Sequence, residues 1–249
     1  MRIALCLYGL IGSKTGKAYL KEGGTDEVLS ECYDSFNKNL ISQGNVDVFF
    51  HTWDVDFENQ LVSKYQPKSY EVEPQIVFTN TIKGRYDRIQ AHYSRWYSTQ
   101  KVNNLKSKYE SDNGFKYDMV VMSRFDMIWT TPIKIENYNP NIFYIPRTSK
   151  HDRPWGWPHG NNNEIGDLWF ISSSENMDKF TTLYDKINIY MREGCPHWKD
   201  ISNHMLAVYH LQKLSLLPNN VQLAFDDMKT KNGFGDFLIY RNYINLKKS

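Results

Sequence analysis

The stretch that decides the fold is YDMVVMSRFDMIW, residues 117–129. Four apolar residues, Met119 to Met122, run without a break and then meet Ser123, Arg124, Phe125 and Asp126. A strand that is apolar on both faces is covered on both faces, which is the habit of parallel sheets in layered α/β domains. Ligands bind such sheets beyond the carboxyl ends of the strands. The polar residues that end the apolar run are therefore the first place to look for a site.

Working outward, Ile3 to Tyr8 reads as another buried strand and Gly9-Leu10-Ile11-Gly12 as the turn leaving it. Val46 to Phe50 repeats the pattern and ends in His51-Thr52-Trp53-Asp54, and Tyr70 to Val77 reads as a third strand interrupted at Pro74. Between them, Thr25 can cap a helix from Asp26 to about Ser42, and a short helix over Phe57 to Tyr65 stops at Pro67. A longer helix is predicted from Asp87 to Ser111, closed by Asp112-Asn113-Gly114. Further strands are expected at Ile142–Ile145, Leu168–Ile171, Val221–Phe225 and Phe237–Tyr240, with helices at Glu175–Arg192 and Trp198–Lys213. The segment TSKHDRPWGWPHGNNNEIGD, residues 148–167, is too polar and too rich in Gly, Pro and Asn for core, and reads as a long functional loop. Strands alternating with helices predict a single Rossmann-type α/β domain, its mostly parallel central sheet flanked by helices on both faces.

Composition narrows the function. Hydrophobic residues are 41% and charged residues 23%, enough for a sizeable core. A net charge of +2 gives no electrostatic case for a nucleic-acid partner. Aromatics are 15% of the chain, which suits ring-shaped ligands and core packing alike. Cys6, Cys32 and Cys195 lack metal or redox spacing and read as free thiols of a reducing compartment. The apolar stretch at the start is explained better by a first strand than by a signal peptide, and no stretch has the length of a membrane span. These features predict a soluble, cytoplasmic protein without a transmembrane segment.

The strand ends carry the chemistry. Tyr8 and Gly9 follow the first strand, Thr52, Trp53 and Asp54 the second, and Ser123, Arg124 and Asp126 the central one. Such a set suits a nucleotide diphosphate: an aromatic packs on the base, arginine offers planar donors to phosphate oxygens, and an aspartate can hold Mg²⁺ or Mn²⁺. The alternative for Arg124 and Asp126 is an ion pair bracing the loop, since residues two apart on a strand point the same way. For His51 and Asp54 the alternative is loop capping. GLIGSKTGK, residues 9–17, misses the P-loop spacing; no zinc spacing and no Gly-x-Ser-x-Gly elbow occurs.

In their order along the chain, RIALCLYGL, VDVFFHTWD, YDMVVMSRFDMIW and IGDLWFISSSENMDKF resemble glycosyltransferase-like proteins of bacterial surface-polysaccharide clusters, large viruses and phages. The resemblance implies a GT-A-type fold over 1–249, with residues 1–130 binding the nucleotide sugar and 131–249 the acceptor. It implies transfer of a sugar from a UDP-, GDP- or TDP-sugar to a hydroxyl of a glycan acceptor. Where that family carries Asp-x-Asp for a divalent metal, this chain reads Ser123-Arg124-Phe125-Asp126, so either Mn²⁺ or Mg²⁺ would rest on Asp126 alone, or Arg124 would replace part of the metal's charge. Asp167 matches the acid that serves as general base in inverting members or lines the sugar pocket, with Glu164 as second candidate; the alternative for Asp167 is a cap at the start of a strand. Tyr97, Ser98 and Lys101 in WYSTQKVNNL would approach the nucleotide or donor sugar, and Arg85 and Arg88 are further phosphate contacts on the same terms. Asp200 and His204 stand one turn apart, as a pair or as a contact to the diphosphate. Trp155, Trp157 and His159 would line an acceptor lid. Two other readings share the fold: a catalytically inactive sugar-binding or assembly protein, and a sugar nucleotidyltransferase.

Overall fold

A computed structural model describes residues 1–12, 25–79, 86–147, 167–193, 202–216, 221–226 and 237–240. Its centre is a seven-stranded sheet. The strands are β1 (Ile3–Gly9), β2 (Val46–Thr52), β3 (Ser69–Val72), β4 (Met119–Arg124), β6 (Phe143–Arg147), β7 (Trp169–Ser172) and β8 (Val221–Asp226), in the order β3-β2-β1-β4-β7-β6-β8. A separate antiparallel ribbon joins β5 (Met127–Trp129) to β9 (Phe237–Ile239). The expected α/β architecture with a mostly parallel sheet is present.

The exception is β7, which runs antiparallel between β4 and β6. All four of its residues are buried, so its pattern reads like that of its parallel neighbours. Its direction matters, because an antiparallel strand enters the sheet at the edge where parallel strands leave it. With Ser123 opposite Trp169, Asp167 arrives beside the exit of β4.

Alternation sorts the side chains of each strand between two cores. Ala4, Cys6 and Tyr8 of β1, with Val120 and Met122 of β4, face α3 (Tyr86–Asn113), α4 (Ser174–Thr181), α5 (Leu183–Arg192) and α6 (Asn203–Lys213). Leu5, Leu7, Val48, Phe50 and Val121 face α1 (Asp26–Asn39), α2 (Glu58–Tyr65) and the ribbon. Thr25 caps α1 as expected, its hydroxyl accepting from the Val28 amide at 3.3 Å. Gly114 ends α3 at φ +66, a conformation that costs glycine little.

Two boundaries differ from expectation. The third strand stops at Val72: Glu73 still donates to the Thr52 carbonyl, but Pro74 has no N–H with which to extend the ladder. The helix expected over Glu175–Arg192 is two helices that meet at Thr182. The hydroxyls of Thr181 and Thr182 donate to the carbonyls of Asp178 and Lys179, three residues back, and that local bonding competes with the helix.

Candidate functional site

Register brings the carboxyl ends together. Tyr8 lies level with His51 on one side and with Arg124 on the other, and Gly9 lies level with Thr52. The loop after β1 is held at two points. Gly9 donates its amide to the Ser98 hydroxyl at 2.8 Å, and Ile11 donates to the Asp54 carboxylate at 2.5 Å. Asp54 therefore caps this loop, and Thr52 accepts from the Asp54 amide at 3.1 Å. Thr52 and Ser98 are fully buried, and their hydroxyls hold the backbone of the loops above them.

The Ser98 interaction extends further. Its oxygen lies 2.7 Å from His51 Nδ1, and His51 Nε2 lies 2.9 Å from Glu73. Burial lowers the His51 pKa against the opposing pull of Glu73, while the Glu73 carboxyl is itself held low, despite burial, by hydrogen bonds from His51 and Tyr97. An ionised Glu73 requires a proton on Nε2. A neutral ring then leaves Nδ1 to accept from the Ser98 hydroxyl, and Ser98 accepts from Gly9. One directed chain thus runs Gly9→Ser98→His51→Glu73.

Above it, the rings of Trp53 and Tyr97 stack at 5.4 Å with an interplanar angle of 24°, and His51 meets the Trp53 ring edge-on. The Trp53 indole N–H is buried without an acceptor. Lys101 leans over Tyr97 and pairs with Glu71 at 2.6 Å, so its charge is already answered by β3.

On the other side of Tyr8 stand two ion pairs. Arg124 donates to both oxygens of Asp126, from Nε at 2.7 Å and from Nη2 at 2.5 Å. Gly12 presses on this carboxylate: a Cβ at Gly12 would lie 2.5 Å from that of Asp126. Arg95, from α3, forms the second pair. Its Nη1 donates to the Asp167 carboxylate, and its Nη2 to the Asp167 carbonyl and, at 2.8 Å, to the Tyr8 hydroxyl. Arg95 Nε is buried and has no acceptor. Burial works to raise the Asp167 pKa, but Arg95, His204, Arg124 and His92 together outweigh it, and the carboxyl ends far below the usual range. Burial also pushes the Tyr8 phenol up to about 12, which keeps it protonated.

Arg95 was not singled out in the sequence. His204 was, with Asp200; the structure sets its Nδ1 3.7 Å from Asp167. Of the other expected residues, Trp155, Trp157, His159, Glu164, Arg85, Cys195 and Asp200 lie outside the described residues.

A divalent cation needs several oxygen or nitrogen ligands that converge on one point. Among the described residues no group of three or more His, Cys, Asp and Glu side chains converges. Asp126, on which Mn²⁺ or Mg²⁺ would rest, has both oxygens engaged by Arg124, so a cation there would have to displace a guanidinium. In the arrangement described, the Asp126 carboxylate is already answered by a guanidinium. What it can do is offer guanidinium forks to an anion, next to an aromatic stack and an unblocked glycine backbone: a Cβ at Gly9 would meet nothing within 4 Å. No family model matches the chain, and no curated protein matches it either. No helix among the described residues is long and apolar enough to cross a membrane.

Proposed function

We propose that the chain is a GT-A-like glycosyltransferase, moving a sugar from a nucleoside diphosphate sugar to a hydroxyl of a glycan acceptor, in the cytoplasm. One observation carries this reading. The exits of β1 and β4 and the entry of β7 bring Tyr8, Gly9, Arg95, Arg124, Asp126 and Asp167 to one edge of the sheet, next to the Trp53–Tyr97 stack. That edge is where open α/β sheets take their ligands.

The division of labour follows from chemistry. The acceptor oxygen attacks the anomeric carbon, the bond from that carbon to the diphosphate oxygen breaks, and the acceptor proton passes to a carboxylate. The leaving diphosphate gains negative charge, which Arg124 is suited to answer through its planar fork. Asp167 is the carboxylate for the proton, at the entry of β7 beside the exit of β4. A base paired to a guanidinium is a weak one, so this role needs Arg95 to let go.

A second reading, a sugar-binding protein without catalysis, is favoured by one feature: Arg124 neutralises Asp126, the acid on which a metal would rest. A thermal-shift screen over UDP-, GDP- and TDP-sugars, with and without Mn²⁺, tests binding, because a ligand that binds the native state alone raises the melting temperature. Release of the nucleoside diphosphate from the donor that binds separates enzyme from binder. No shift with any nucleotide sugar overturns both readings.

A further inference from the structure

Arg95 holds a carboxylate, a carbonyl and a phenol, and still keeps one buried N–H without an acceptor. Buried orphan donors on a guanidinium are uncommon and ask for a reason. Its neighbourhood gives one. Arg95 and Arg124 both act on Tyr8 and on Asp167, so the two guanidinium groups share one small region, and each is neutralised there by an aspartate. In this state the site has two forks shaped for phosphate and little net charge to attract one.

The two aspartates differ in how firmly they are held. Asp126 is wedged against the Gly12 backbone, and its carbonyl accepts from the Tyr240 amide at 2.9 Å. Asp167 is held by a long side chain projecting from a helix, and His204 Nδ1 stands 3.7 Å from its other oxygen.

We propose that Arg95 and Asp167 form a clasp that a diphosphate opens: phosphate oxygens replace the Asp167 carboxylate on the Arg95 guanidinium, and the freed carboxylate, next to His204, turns to the acceptor hydroxyl. Arg95 is in this account a diphosphate contact, and its partner is the residue that gains by losing it. The clasp rests on the transferase reading for its purpose, but the exchange itself is a property of the two residues. Tied to Arg95, Asp167 is a poor base, whereas released it regains an ordinary carboxylate's affinity for protons. Part of the donor's binding energy is thereby spent on making the base, which ties proton abstraction to an occupied site and limits donor hydrolysis.

The probe is inorganic pyrophosphate, titrated calorimetrically into the full chain. Removing the competing charge with Asp167→Asn should tighten pyrophosphate about tenfold, and Arg95→Lys, which keeps the charge but loses the fork, should weaken it about tenfold. Asp167→Ser serves the same purpose as Asp167→Asn should the amide variant fold poorly, and melting curves identify the variants that fold. Unchanged or weaker affinity in the folded Asp167 variants, or no pyrophosphate binding by any form, overturns the clasp. The two proposals fail separately. Nucleotide sugars that bind with affinities indifferent to Arg95 and Asp167 sink the clasp and leave the transferase. Pyrophosphate exchange without any nucleotide-sugar binding does the reverse.

Discussion

Arg124 and Asp126, two residues apart in one strand exit, close on each other through two hydrogen bonds of 2.7 and 2.5 Å. The pair is unevenly buried, with side-chain exposure of 29% for the arginine and 7% for the aspartate. Removing the arginine strands a carboxylate in a dry place; removing the aspartate leaves a guanidinium that can reach water. Arg124→Ala should therefore cost about 3 kcal/mol and Asp126→Ala about 1 kcal/mol. Urea unfolding of the two variants measures this asymmetry, and equal losses would contradict it. Asp126→Ala should keep the fold and lose sugar transfer; wild-type turnover would remove Asp126 from the site.

Gly12 offers a way to disturb Asp126 without touching its charge. At φ +100, alanine is strained, and its Cβ would stand 2.5 Å from the Asp126 Cβ, so the carboxylate must move off Arg124. Gly9, at φ +93 but with open space around it, carries the strain alone. Gly9→Ala should cost about 1 kcal/mol, and Gly12→Ala clearly more. A nucleotide-binding assay should show Gly12→Ala sharing the defect of Asp126→Ala.

The parts of this arrangement that were legible in the sequence are those fixed by periodicity. Uninterrupted apolar runs marked β1, β2 and β4, and parallel sheets bring carboxyl ends to one edge, so Arg124 and Asp126 could be found from the string alone. Direction was not legible. β7 is buried along its whole length, and nothing in Trp169-Phe170-Ile171-Ser172 says which way it runs. Arg95 was hidden for a related reason. Within YSRWYS it looks like the wet side of a helix, and its partner lies 72 residues away. A faint signal existed, since Arg95 stands three residues before Ser98 and so shares its face. The break at Thr182 was equally hidden, because it involves neither proline nor glycine.

The Asp167 ion pair should shape acid stability. Its folded pKa lies below its unfolded value, so its contribution is complete above the ordinary aspartate pKa, about 3.9, and fades as pH falls towards the folded value. Stability of the wild type should accordingly decline below about pH 4 more steeply than that of Asp167→Asn, whose amide does not titrate. The difference between the two profiles is the readout, because Asp178 and Glu110 also have lowered pKa values and contribute to both. Parallel profiles would mean that Arg95 does not hold Asp167 in solution.

The most deeply buried charges among the described residues lie at the other end of the sheet. Lys106 and Glu110, both fully buried, project from the last turns of α3, where the chain turns back into β4. Lys106 donates to Ser174 and, at 2.7 Å, to Asp178; Glu110 accepts from Ser174 at 2.6 Å, from the Tyr117 amide at 2.8 Å and from Lys116 at 2.8 Å. Buried ionisable clusters often mark active sites, but this one sits at the amino ends of the parallel strands, where such sheets do not take ligands. Every charge in it is answered, and its contacts join α3 to the start of α4, so its work is to fix the helix that carries Arg95 and Ser98. Lys106→Met keeps the volume but removes the cation shared by Glu110 and Asp178. It should cost about 3 kcal/mol in urea unfolding, because the Glu110 and Asp178 carboxylates lose their buried cation and are left to share Lys116, which is largely exposed. At a temperature where the variant is folded, nucleotide-sugar binding should match the wild type. A selective loss of binding in a folded Lys106→Met protein would show that the brace reaches the site and that the two ends of α3 are coupled.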